Sequence, residues 1–268
     1  MGVTELASVD GKITPTSEAV IPLRDDGLYR GDGAFEVIRL YAGRPFALED
    51  HLERLERSAA ALELRYDAAA LRVEIDALLA TAGPDDAALR LVVTRGGRRI
   101  AALEPLPDYG PSSTLATVTY SPTVILDGVK SLSYAANMQA TRIARSRGAD
   151  EALLVTPEGT VLEPPTASIF WCAPDGSLCS PSLDNPILDS ITRRRLVRAL
   201  EVREGTFRVE ELAEASEAFL ASTTREVQPV AAIDGRALDW PGPRTREASA
   251  ALAAAIRAET GAEVTADA

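Results

Sequence analysis

Apolar and polar positions along this chain alternate between short runs with a period of two and longer stretches with a helical period. Turn signals at Asp10-Gly11, with Ile13, Val20, Ile21 and Leu23 as apolar pieces, read as a starting hairpin over residues 1–23. After Asp25-Asp26-Gly27 comes a loop, then a strand with Phe35, Val37 and Arg39 on one face and Glu36, Ile38 and Leu40 on the other. Ala42-Gly43-Arg44-Pro45 closes a hairpin. From Glu49-Asp50 onward, Leu52, Leu55, Ala59 and Leu62 keep helical spacing, and a second helix fills Ala68–Ala82 before Gly83-Pro84 stops it. Strands are predicted at 89–94 and 112–120, with Ser121-Pro122 linking two halves. The β-branched run from Val124 reads as a strand that leads to Lys130, and residues 134–147 read as a helix ended by Gly148. Further strands are expected at 151–156, 160–163, 168–172 and 217–221. A helix follows Ile187-Leu188-Asp189-Ser190, and an Ala-rich helix spans 244–260.

Composition narrows the class. The 268 residues suffice for one large domain or two ordinary ones. No apolar run is long enough to span a bilayer, and Met1-Gly2-Val3-Thr4-Glu5 lacks the basic-then-apolar pattern of an export signal. Gly2 is followed by Leu6 where a myristoylation motif wants serine or threonine. A formal charge of −12 disfavours nucleic acid and anionic membranes as partners. Cys172 and Cys179 flank Asp175-Gly176, a hairpin tip, and are expected as reduced thiols. With His51 as the lone histidine, no histidine-rich metal site is expected. These features describe a soluble cytoplasmic protein.

Candidate chemistry sits at a few positions, each with an ordinary structural alternative. Lys12 and Lys130 are the lysines, and arginine supplies every other cationic side chain. A buried lysine amine can be brought near neutrality and act as a nucleophile, which arginine cannot; a lysine in a surface turn does neither. Gly31-Asp32-Gly33 is a turn, without the third glycine and following helix of a dinucleotide site. Arg54 is either a solvated partner of Asp50 or an anion clamp. Arg95-Gly96-Gly97-Arg98-Arg99 is a solvated hairpin tip or a receiver of a carboxylate. Glu163, held before Pro164-Pro165, is a strand-edge charge or a fixed acid facing a pocket. Ser190 or Thr192 can cap a helix start that binds phosphate. Ser222-Thr223-Thr224 is a satisfied turn or an anion cradle.

Together, and in order from Asp25 to Val230, these segments resemble the fold-type IV pyridoxal phosphate enzymes, the class IV aminotransferases. The resemblance implies an α+β architecture: a smaller N-terminal α/β domain over 1–120, a linker over 121–127, and a larger C-terminal domain over 128–268 with a β-barrel-like core. It implies pyridoxal 5'-phosphate as cofactor, joined as a Schiff base to Lys130 in Val129-Lys130-Ser131-Leu132-Ser133-Tyr134. Tyr134 would bond the ring hydroxyl and Glu163 the pyridine nitrogen. Arg54 in His51-Leu52-Glu53-Arg54-Leu55, Ile191 and Thr192, and Thr223 and Thr224 would hold the phosphate. Phe35 and Glu36 in Gly31-Asp32-Gly33-Ala34-Phe35-Glu36 match the substrate-pocket strand. The same resemblance implies amino acid and 2-oxo acid substrates and a homodimer that shares pocket residues. Pro164 departs from the family's usual glycine.

The subgroup stays open among three readings. Val93-Thr94-Arg95-Gly96 looks like the corresponding loop of aminodeoxychorismate lyases, though Glu36 stands where those tend to carry threonine. Leu132-Ser133-Tyr134 and Gly148-Ala149-Asp150-Glu151-Ala152 suit a branched-chain transaminase. Lys130-Ser131-Leu132 and Ser222-Thr223-Thr224 also look like D-amino-acid transaminases, in which an arginine trap of Arg30 with Arg95 or Arg98 would bind the substrate carboxylate.

Overall fold

A computed structural model describes residues 4–264 of the chain. The reading of the first three residues, including Gly2, lies outside them. Two compact units are present: the chain up to Pro107 together with Val129–Tyr134 and Glu259–Ala262, and a second made of Asp108–Gly128 and Ala135–Ala258.

The first unit is built on strands β1 (Leu6–Val9) and β2 (Lys12–Pro15), a short helix α1 (Asp26–Arg30), strands β3 (Gly33–Tyr41) and β4 (Arg44–Pro45), helices α2 (Leu48–Ala61) and α3 (Ala68–Ala82), and strands β5 (Ala87–Thr94) and β6 (Arg99–Glu104). Its antiparallel sheet runs β2-β1-β6-β5-β3-β4. Alternation on β3 puts Ile38 and Leu40 into a core shared with Leu55 and Ala59 of α2 and Leu71, Ile75 and Leu78 of α3. Glu36 lies on that same inward face.

Strand β7 (Ser113–Thr119) opens the second unit, followed by α4 (Ala135–Ser146), β8 (Glu151–Val155), β9 (Ser168–Cys172), β10 (Leu178–Pro181), α5 (Ile191–Ala199), β11 (Val202–Gly205), α6 (Val209–Leu212), β12 (Ala218–Ser222), β13 (Glu226–Ile233), β14 (Arg236–Ala237) and α7 (Pro243–Thr260). The mixed sheet β11-β10-β9-β12-β13-β7-β8 curls as a half-barrel. β9 is buried along its whole length, with Trp171 edge-on to Phe207 and Phe170 stacked on Phe219. Among the described residues no helix is long and apolar enough to cross a membrane.

Several local expectations give way to context. Val124–Leu126 is a 3-10 turn, not a strand, and Val124 and Ile125 are each 86% exposed; β-branched residues make a strand only where a neighbour offers a ladder. Residues 160–163 form isolated bridges, Val155↔Val161 and Thr160↔Arg208, because Pro164 and Pro165 have no N–H to extend the pairing. Past β2 the starting hairpin ends in a 3-10 turn at Thr16–Glu18. The expected loop at 26–30 is α1, capped by Asp25, whose carboxylate accepts from Gly27 N at 2.8 Å, and closed by Gly31 at φ 67°. Cys172 lies opposite Leu178, and Cys179 opposite Trp171, so the two buried thiols point to different faces of the hairpin and both are free.

Candidate active site

Lys130 is placed by backbone pairing. In the first unit, Ala34 of β3 bridges Ser131, Phe35 N donates to Lys130 O at 3.1 Å, and Leu132 N donates to Gly33 O at 2.8 Å. Lys130 N donates in turn to Ser58 Oγ on α2 at 3.1 Å. This close approach needs Gly33, since a Cβ there would sit 2.6 Å from both Leu132 Cδ1 and the Val93 carbonyl. The half-buried amine has its Nζ 4.5 Å from the centroid of the Phe35 ring, and Phe35 meets Tyr134 edge-on at 5.4 Å. The lysine therefore stands against an aromatic corner rather than in an open surface turn.

Beside it lies a closed ionic cluster. Glu36, His51 and Arg54 are 0%, 1% and 5% exposed. Arg54 grips Glu36 with both arms of its guanidinium, Nε to Oε1 and Nη2 to Oε2, each at 2.7 Å, and His51 Nδ1 meets Oε2 at 2.7 Å. Burial alone would raise the Glu36 pKa, but the charge and hydrogen bonds of Arg54, with help from His51, outweigh it and hold the carboxyl at about 2. For His51 burial prevails, so its pKa falls below the ordinary value despite Glu36, and the ring is neutral near pH 7. Arg54 is thus buried and forked onto Glu36, not a solvated arginine. Glu36, expected in the substrate pocket, directs its carboxylate to Arg54 and His51.

The other candidate residues belong to the second unit. Glu163 Oε1 accepts from Leu188 N at 2.8 Å, which ties the acid to the loop before α5. Ser190 caps α5, accepting from Arg193 N at 3.3 Å, and Ile191 and Thr192 lie buried in its first turn. At the end of β12, Ser222 Oγ accepts from Arg225 N at 3.4 Å, and Thr224 Oγ1 lies 2.8 Å from Tyr109 Oη.

The arginines of the basic loop pair with acids of their own unit. Arg95 forks onto Asp32 (2.9 and 3.2 Å) and also donates to the carbonyls of Leu62 and Glu63. Arg98 pairs with Asp10, and its Nε lies 3.5 Å from Asp25, so it clasps the segment before α1. Arg30, with its side chain 74% exposed, forms a 3.3 Å ion pair to Asp26 on its own helix.

Sequence reasoning missed Ser58, whose hydroxyl accepts from Lys130 N. A signal existed: His51, Arg54, Leu55 and Ser58 share one helical face at spacings of three and four.

The model of the family described as amino-transferase class IV matches residues 33–233. A D-alanine aminotransferase of Bacillus licheniformis is 31% identical over 276 residues, covering 94% of this chain and 97% of that one. A putative branched-chain-amino-acid aminotransferase of Methanocaldococcus jannaschii is 32% identical, covering 86% and 88%. Among solved structures, the fold IV-transaminase CpuTA1 of Curtobacterium pusillum superposes with a TM-score of 0.84 at 28% identity, over 93% of this chain and 99% of that one. The chain belongs to the class IV aminotransferases, which are pyridoxal phosphate-dependent transaminases of fold type IV. Taken unit by unit, the chemistry is compatible with such a cofactor: the first unit holds a lysine amine able to react with an aldehyde, and the second holds a fixed carboxylate, a capped helix start and a hydroxyl turn.

Proposed function

We propose that this protein transfers amino groups between D-amino acids, such as D-alanine or D-glutamate, and a 2-oxo acid such as 2-oxoglutarate. The observation that carries the reading is the placement of Lys130, pinned by the Ala34–Ser131 bridge with its amine against Phe35. Lys130 would attach pyridoxal 5'-phosphate covalently, with Arg54, Ile191, Thr192, Thr223 and Thr224 holding the phosphate, Tyr134 the ring hydroxyl and Glu163 the ring nitrogen. When bound, the cofactor supplies an electron sink for the carbon that bears the substrate's amino group. With the cofactor in place, Lys130 Nζ would be the base that accepts the proton of that carbon and gives it up again to complete the transfer. Glu163, oriented by Leu188 N, would be the acid partner of the ring nitrogen. Arg54 has its Nε and Nη2 held by Glu36, so its guanidinium meets an anion in a set orientation.

The D-specific reading draws support from the D-alanine aminotransferase relative and from Arg30, the most accessible of the three arginines. Arg30 is then the leading candidate for the substrate carboxylate, with Arg95 and Arg98 shaping the loop. The Methanocaldococcus jannaschii relative favours a second reading, branched-chain L-amino acids. Exposed Val20, Leu23, Leu28 and Tyr29 would suit a homodimer contact, which light scattering on the purified protein would test. Incubation with D-alanine or L-leucine plus 2-oxoglutarate separates the readings. Turnover of D-alanine supports the proposal, and turnover of L-leucine alone replaces it with the second reading. Pyruvate released from aminodeoxychorismate without an amino acceptor would replace both with a lyase.

A further inference from the structure

A second buried ionic network, wholly within the second unit, surrounds the turn at the end of β12. Arg225 follows the three hydroxyl residues, and its side chain is 8% exposed. Its Nη2 donates to Glu151 Oε2 at 2.8 Å, and its Nη1 to Gln228 Oε1 at 2.8 Å. The guanidinium lies over the Tyr109 ring, 4.1 Å from the centroid. Glu151 is set from behind by the Thr141 hydroxyl of α4 and by Ala152 N at 3.2 Å. Tyr109 is held through its own carbonyl, which accepts from Gln228 Nε2 at 2.7 Å, and its hydroxyl reaches Thr224 at 2.8 Å. Arg225 Nε, also buried, has no acceptor among the described residues. A buried donor without a partner calls for an explanation, and an anion or its water shell is one of the few available.

The arrangement brackets the turn on both sides. Arg225 closes it through its backbone, with N donating to Ser222 Oγ, and anchors it through its side chain. Tyr109, from the start of the unit, fixes the rotamer of Thr224. We propose that Arg225 and Tyr109 are positioning residues of the Ser222–Thr224 turn, and that they set its affinity for a phosphate monoester. The inference rests on the reading of that turn as a cofactor-phosphate site. Neither residue needs to touch the phosphate for this to hold. Their effect is to remove freedom that the Ser222 and Thr224 hydroxyls would otherwise lose on binding.

The test compares pyridoxal phosphate with pyridoxal, which lacks the phosphate, binding to resolved full-length protein. Tyr109→Phe removes one hydroxyl and leaves the ring over Arg225. Its affinity for pyridoxal phosphate should fall about five-fold, the worth of one neutral hydrogen bond, with pyridoxal affinity within about two-fold of wild type. The double variant Glu151→Gln with Arg225→Met removes both buried charges together, which avoids stranding one of them. It should lower the ratio of the two affinities by more than about ten-fold. Inorganic phosphate should protect wild type against thermal unfolding more than it protects either variant. An unchanged ratio in both variants, or an equal loss for both ligands, overturns the inference and leaves the cofactor reading intact. A wild-type protein that binds pyridoxal phosphate no better than pyridoxal overturns the phosphate reading itself, and this inference with it.

Discussion

The two buried ionic clusters in this protein are built differently. The Glu36–His51–Arg54 cluster joins one strand to one helix: Glu36 comes from β3, and His51 and Arg54 from one face of α2, three residues apart. Both oxygens of its carboxylate are filled by nitrogen donors at 2.7 Å. In the Glu151–Arg225 network the carboxylate takes one guanidinium arm, a hydroxyl and an amide, and its members come from five places along the chain. The first cluster is local, set by one strand and one helix face. The second ties distant segments together around a turn. A buried pair is weak evidence of net stability, so the expected difference lies in what each costs when broken.

The largest expected effect is on chemistry. Lys130→Ala should lower transaminase turnover roughly ten-thousand-fold, since no other lysine except Lys12 of β2 could serve, while the melting temperature stays near wild type. A variant retaining a tenth of the activity would separate the lysine from the reaction.

Next comes stability. Glu36→Gln strands the Arg54 charge inside the first unit and should cost about 3–5 kcal/mol in denaturant unfolding. Glu151→Gln also strands a guanidinium, but Arg225 keeps Gln228 Oε1 as an acceptor and the Tyr109 ring against its face, so the cost should be smaller, about 1–3 kcal/mol. Equal costs would show that the two clusters are not different in kind.

pH sharpens the contrast. A lowered histidine pKa means the unfolded chain binds a proton the folded one refuses, so stability should fall as pH drops below 6.5. The Glu36 carboxyl, moved from 4.5 to about 2, adds a second loss across that window. His51→Gln should abolish the first loss and spare the second, as followed by unfolding at stepped pH. The smallest effect is expected at Arg30. Arg30→Gln should raise KM for the amino acid substrate about ten-fold with kcat little changed. Arg95→Gln should instead act on stability.

Much of this was legible in the sequence. Ala68–Ala82 and Ser168–Cys172 carry their periodicity and stop signals openly, and the fold-type IV architecture follows from the order of motifs. The placement of Glu36 also follows, since alternation along β3 puts it on the same face as Ile38 and Leu40. Its partners were harder to see, because a search for apolar periodicity on α2 finds Leu55 and Ala59 and passes over His51 and Ser58 on the same buried face. The commitments of Arg95 and Arg98 were hidden, since Asp32, Asp10 and Asp25 are brought to them only by sheet register. Val124–Leu126 misled for the opposite reason: Val124 and Ile125 are β-branched, but they take a 3-10 turn and stay 86% exposed.

One measurement bears most directly on the whole account: reduce the purified protein with borohydride in the presence of pyridoxal phosphate, digest it, and map the modified peptide. The account predicts a single cofactor adduct on Lys130, with Lys12 unmodified. Loss of the adduct, or its appearance on Lys12 alone, would contradict it.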